Sequence, residues 1–93
     1  MSGVSAVVLI KAEVGLVNEL ATSLVEIRGV AEVFSVAGLY DLVAIVRVNH
    51  NDDLADVIST KMRKLKGIRE TQTLIAFRVF SSSELETGGL NVE

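Results

Sequence analysis

A register of 38 residues runs through the chain and constrains its fold more than anything else in it. Gly29 and Gly67 stand 38 positions apart. The same offset carries Leu16, Leu20, Leu24 and Ile27 onto Leu54, Ile58, Met62 and Leu65. It also carries Val7, Val8 and Ile10 onto Ile45, Val46 and Val48. In each half, a β-branched apolar run reads as a strand and spacings of four, four and three read as one face of an amphipathic helix. Each helix pattern then reaches a glycine where a helix C-terminus is expected. A second strand follows in each half, Val30 to Val36 and somewhere within Arg69 to Phe80. Two βαβ halves joined end to end give βαββαβ, the ferredoxin-like split unit of the α+β class. The expected architecture is a four-stranded antiparallel sheet with two helices on one face.

Ninety-three residues make one domain with a small core. The expected limits are residues 1–80 for the domain and 81–93 for a polar C-terminal tail. In the split unit, strands one and three are central. Ala6 to Ile10 and Leu42 to Val48 are accordingly the most apolar runs, while the outer strands carry Glu32, Ser35, Glu70, Thr71, Gln72 and Thr73. Alternation assigns Ala6, Val8, Ile10, Leu42, Ala44, Val46 and Val48 to the face under the helices. The opposite set, Val7, Leu9, Val43 and Ile45, ends in a basic residue on each strand, Lys11 and Arg47. Two helices cannot cover that second face. Leaving its side chains in water forgoes roughly 1.5–3 kcal/mol each, an upper-end figure. The expectation is a homo-oligomer formed through this face, with a folded-back C-terminal tail as the alternative cover.

Charge and composition exclude several functions. Net charge is −3, and no basic stripe marks a nucleic-acid surface. There is no cysteine, so disulfides, thiol chemistry and cysteine metal sites are absent. No apolar run approaches the roughly 18 residues of a membrane span, and Met1-Ser2-Gly3-Val4 lacks the basic start of a secretory signal. A cytoplasmic location is expected, without metal or cofactor. The one histidine, His50, sits among Asn49, Asn51, Asp52 and Asp53 and reads as a solvated loop residue. Asp52 or Asp53 is expected to cap the second helix, and the basic group Lys61 to Lys66 to suit its C-terminal dipole. No nucleophile, base and orienting group are set in a catalytic arrangement, so no catalytic residues are assigned.

Two segments could hold a ligand. One is the turn Gly38-Leu39-Tyr40-Asp41 between strands two and three, where glycine permits a positive φ. Backbone N–H groups and a carboxylate exposed there suit a zwitterion. The other is Thr71-Gln72-Thr73 on the edge strand beside strand one, where Thr71 and Thr73 share a face. Spacing alone favours an ordinary turn and a polar edge strand.

Val33-Phe34-Ser35-Val36-Ala37-Gly38-Leu39-Tyr40-Asp41-Leu42-Val43 resembles the V-x-x-V-x-G-x-Y-D-L-V hallmark of the Lrp/AsnC effector domain, called RAM for regulation of amino-acid metabolism. Lys66-Gly67-Ile68-Arg69-Glu70-Thr71-Gln72-Thr73-Leu74-Ile75 resembles that domain's P-G-V-x-x-T-x-T-x-I ending, with Lys66 in place of proline. The resemblance covers about Ser5 to Val79. It implies dimers formed through the sheets, rings of dimers that are commonly octamers, and effector amino acids held between dimers. Carried onto this chain, it implies ligand contacts from Gly38, Leu39, Tyr40, Asp41, Thr71 and Thr73. Full-length members carry an N-terminal helix-turn-helix. Here strand one starts within a few residues of Met1, so the expectation is a stand-alone effector module with no direct nucleic-acid binding. It would sense an amino acid or related small molecule and act through ligand-coupled oligomerisation, or by co-assembly with a full-length transcriptional regulator. The rivals are a ligand-free oligomeric scaffold and a small dimeric α+β barrel enzyme.

Overall fold

The computed structural model describes residues 3–82. Four strands, β1 (Val4–Ala12), β2 (Val30–Ser35), β3 (Leu42–Val48) and β4 (Ile68–Ile75), form one sheet in the order β2-β3-β1-β4. All neighbours are antiparallel. Helix α1 (Val17–Val25) links β1 to β2. The second helix, α2, links β3 to β4; its first turn Asn51–Ala55 is α-helical, Asp56–Lys61 is π-helical and Met62–Lys64 is a 3-10 turn. This is the expected ferredoxin-like α+β sandwich, with β1 and β3 central.

Alternation along the strands decides what is buried. Ala6, Val8, Ile10, Leu42, Ala44 and Val46 are all buried, and with Leu20 and Leu24 of α1 and Leu54, Val57 and Met62 of α2 they form the core. The other parity on the central strands, Val7, Leu9, Val43 and Ile45, is only partly buried. That open face of the sheet has no helix on it.

Three local expectations are corrected. The helix cap before α2 is His50, with no side-chain capping bond, so Asp52 and Asp53 lie inside the first turn and meet the helix dipole there. The even spacing Leu54, Ile58, Met62 does not hold across the π-helical turns, whose i→i+5 bonds shift the register. Val57 takes the fully buried place and Ile58 is partly buried. In the first half, Leu16 and Ile27 fall just outside α1, which closes on short-range bonds from the Glu26 and Ile27 amides to the Ser23 and Leu24 carbonyls.

The glycine at the end of each repeat has a positive φ, +105° at Gly29 and +98° at Gly67. At Gly29 space is decisive as well: a Cβ there would come within 3.0 Å of Val48 Cγ1 and Val57 Cγ2. Of the expected tail, only residues 81 and 82 are described; the rest lies outside the described residues. Through Phe80 the chain does not fold back over the open face, since Phe77 is wholly exposed.

Candidate functional site

The β2–β3 turn is built as the sequence suggested. Gly38 adopts φ +139° with no heavy atom within 4 Å of where a Cβ would stand, so backbone conformation alone asks for glycine there. Leu39 projects into solvent at 84% exposure. Asp41 is tied down three ways. Its N–H donates to the Ile10 carbonyl at 2.9 Å, and its carbonyl accepts from the Val36 N–H at 3.0 Å. Its Oδ2 accepts from the Ala12 N–H at 2.8 Å. Ala12 lies beyond the last β1–β3 pair, Ile10 with Leu42, and its N–H turns to the same side as the Ile10 carbonyl, so the carboxylate replaces a ladder partner for a buried residue's amide at that end of the ladder. One oxygen of the expected ligand group is therefore already engaged within the chain.

Tyr40 reaches across the sheet. Its hydroxyl donates to Gln72 Oε1 at 2.7 Å, and Lys11 Nζ lies 5.6 Å from the centre of its ring. Lys11 is 3.9 Å from Glu70, its cross-strand partner. Gln72 pairs with Leu9, so this polar group lies on the open face. Thr71 and Thr73 pair with Ile10 and Val8, whose side chains lie under the helices. The six expected site residues are thus divided by the sheet: Tyr40 meets open-face side chains, while both threonines belong to the helical face. One chain alone does not bring them into a single pocket.

Sequence reasoning missed the open-face cluster of Lys11, Glu70 and Gln72. Alternation does separate Gln72 from its flanking threonines, but no local signal carries Tyr40 across β1 to meet it.

Thr71 does line a cavity. A space of about 290 Å³ lies between the end of α2 and β4, near the lower end of the size usual for small-molecule sites. Ile58, Met62, Leu65 and Ile68 supply its apolar lining, while Arg63, Arg69, Glu70 and Thr71 supply the polar part. A second, larger cavity of about 460 Å³ lies at the other end of β3, against Arg28, Gly29, Arg47 and Asp53. It contains none of the expected ligand residues. Lys61, also lining it, pairs with Asp56 at 3.5 Å. The smaller cavity is the better candidate, because of the two it is the one lined by an expected ligand residue, Thr71, over a mainly apolar floor.

His50 is exposed, with Nδ1 3.3 Å from Asp53 Oδ2, as a solvated loop residue would be. Among the described residues no group of three or more His, Asp or Glu could hold a metal ion. No helix among them is long and apolar enough to cross a membrane.

Comparison with known proteins gives a family match, a relative and two similar solved structures. Residues 5–85 match the family described as Lrp/AsnC ligand binding domain. An uncharacterised HTH-type transcriptional regulator of Pyrococcus furiosus is 35% identical over 78 residues, covering 81% of this chain and 52% of that protein. The chain thus spans about half the length of the curated relatives it matches. The crystal structure of TTHA0845 from Thermus thermophilus superimposes with a TM-score of 0.79 at 41% identity, covering 84% of this chain and 98% of that one. The structure of E. coli AsnC shares the fold, with a TM-score of 0.76 at 22% identity over 82% of this chain and 52% of that one.

Proposed function

Because the chain belongs to the Lrp/AsnC family through its ligand-binding domain, we propose that it is a cytoplasmic regulatory module that senses an amino acid and answers by changing its assembly. The match over residues 5–85 is the observation that carries this reading. The cavity beside Thr71 supports it. Arg63 and Arg69 suit a carboxylate, which guanidinium groups bind in two-point fashion, and the Thr71 hydroxyl adds a donor. The apolar floor suits an aliphatic side chain.

The division of the expected site by the sheet gives assembly a chemical role. In this proposal the Gly38–Asp41 turn of one copy meets the Thr71 and Thr73 edge of another, so a complete site exists only in the oligomer. A ligand held there shifts the assembly by its difference in affinity between assembly states. Dimers form through the open face, where Val7, Leu9, Val43 and Ile45 are flanked by half-exposed Phe34 and Leu74. The same interface would admit a relative that carries a helix-turn-helix, giving the module access to transcription by co-assembly.

The test is thermal unfolding against the twenty amino acids, with sedimentation of the hits. A ligand at 100 times its dissociation constant adds about 2.7 kcal/mol if it binds only the folded form. One amino acid, or a small chemical group of them, should raise the midpoint by several degrees and alter the sedimentation profile. Arg69→Gln and Thr71→Val should each weaken that response. Absence of any selective shift refutes amino-acid sensing, and a shift with unchanged assembly refutes the coupling. The engagement of Asp41 Oδ2 by Ala12 favours the second reading, a ligand-free scaffold in which the turn is purely structural.

A further inference from the structure

The chain leaves the sheet at Ala76, whose N–H donates to the Ser5 carbonyl at 2.9 Å. The next four residues, Phe77-Arg78-Val79-Phe80, belong to no strand or helix. Phe77 is 100% exposed, Val79 64% and Phe80 79%. Three large apolar side chains within four residues form a patch, not the scattered apolar exposure of an ordinary surface. The family match runs past them to residue 85, so this arm lies within the domain.

What could cover the arm is constrained by geometry. Its root is on β4, an edge strand, and the arm does not lie on its own sheet. Four extended residues span about 13 Å, whereas two sheets packed face to face stand about 10 Å apart. The arm is therefore long enough to cross from one sheet to a facing one. The open face has a matching need, since Phe34 and Leu74 on its outer strands remain about half exposed. The rim is mixed in charge: Glu32 and Glu70 stand in register with the open-face residues Ile45 and Lys11, and Glu70 already lies 3.9 Å from Lys11. The match is therefore apolar, between Phe77, Val79 and Phe80 of the arm and the open sheet face of a second copy.

We propose that residues 77–80 cross to a second copy and close the edge of its open sheet face, so that two arms clasp the dimer reciprocally. A two-fold interface requires this reciprocity, because the patch that gives the arm also receives one. The inference rests on the sheet-to-sheet dimer proposed above and adds the segment that locks it.

The experiment uses the full chain. Sedimentation equilibrium of the wild type establishes whether a dimer forms and its dissociation constant. The Phe77→Ser/Phe80→Ser double variant, altered only at exposed positions, should fold normally by circular dichroism and dissociate at least about 100-fold more readily. Trypsin supplies a second readout, since cleavage after Arg78 should be slow above the wild-type dissociation constant and fast when the protein is diluted below it. A wild-type dimer whose dissociation constant the double variant leaves unchanged overturns the clasp while the sheet-to-sheet reading stands. Cleavage after Arg78 that is equally fast in dimer and diluted monomer also overturns the clasp. A wild type that is monomeric at micromolar concentration overturns the dimer reading and the clasp with it.

Discussion

Asp41 separates a structural role from a ligand-binding one, and its hydrogen bond sets the size of the structural effect. The carboxylate accepts from the Ala12 N–H at 2.8 Å, and Ala12 is only 6% exposed. Asp41→Ala removes the acceptor and leaves a buried donor unsatisfied, which costs about 1–3 kcal/mol. Asp41→Asn keeps a side-chain oxygen in place and exchanges a charge-assisted bond for a neutral one of roughly half the strength, so a loss of about 0.5–1 kcal/mol is expected. For a domain of this size each kcal/mol moves the melting midpoint by roughly 4–8 °C. The alanine variant should therefore melt about 5–20 °C below wild type, and the asparagine variant within about 8 °C of it. The assay is thermal unfolding followed by far-ultraviolet circular dichroism, at one fixed protein concentration because association itself raises the midpoint. An alanine variant that melts within about 2 °C of wild type, on the order of 0.3 kcal/mol, would falsify the claim that this bond anchors the end of β1. An asparagine variant as unstable as the alanine one would show that charge, not acceptor position, holds Ala12. The folded asparagine variant then reports on function: effector affinity lost while stability is nearly kept would assign the carboxylate to the ligand as well.

Other substitutions probe features that the sequence pattern alone does not rank. Gly29→Ala should destabilise more than Gly38→Ala, because Gly29 combines a positive φ with Val48 and Val57 at 3.0 Å while Gly38 faces open space; equal melting midpoints would refute the packing argument. Val57→Ala should cost more than Ile58→Ala although it removes less volume, since Val57 is 2% exposed and Ile58 only partly buried; the reverse order in urea midpoints would argue that α2 keeps a regular α-helical register in solution. Tyr40→Phe deletes an exposed bond to Gln72 and should lower stability by no more than about 1 kcal/mol. A larger loss in chemical denaturation would show that the open-face cluster is buried in the working assembly.

What the sequence revealed and what it hid follow from how far each signal reaches. The 38-residue offset and the strand alternation are local patterns repeated, so they located the strand order, both helices and the buried parity of β1 and β3 without any knowledge of contacts. The π-helical register of α2 escaped because Leu54, Val57, Ile58 and Met62 are all apolar, and either spacing fits the same letters; packing against the sheet, not periodicity, selects Val57. The division of the candidate site escaped for a related reason. Alternation correctly placed Thr71 and Thr73 on one face, but the side to which Tyr40 turns depends on the path of the Gly38 reversal and on a hydrogen bond to a residue 32 positions away. That division bears on mechanism. A pocket formed within one chain would give its ligand little reason to prefer one assembly over another. In the proposed function, residues that the sheet keeps apart in each copy would be joined between copies, which would make ligand affinity depend on the assembly and, by linkage, the assembly depend on the ligand.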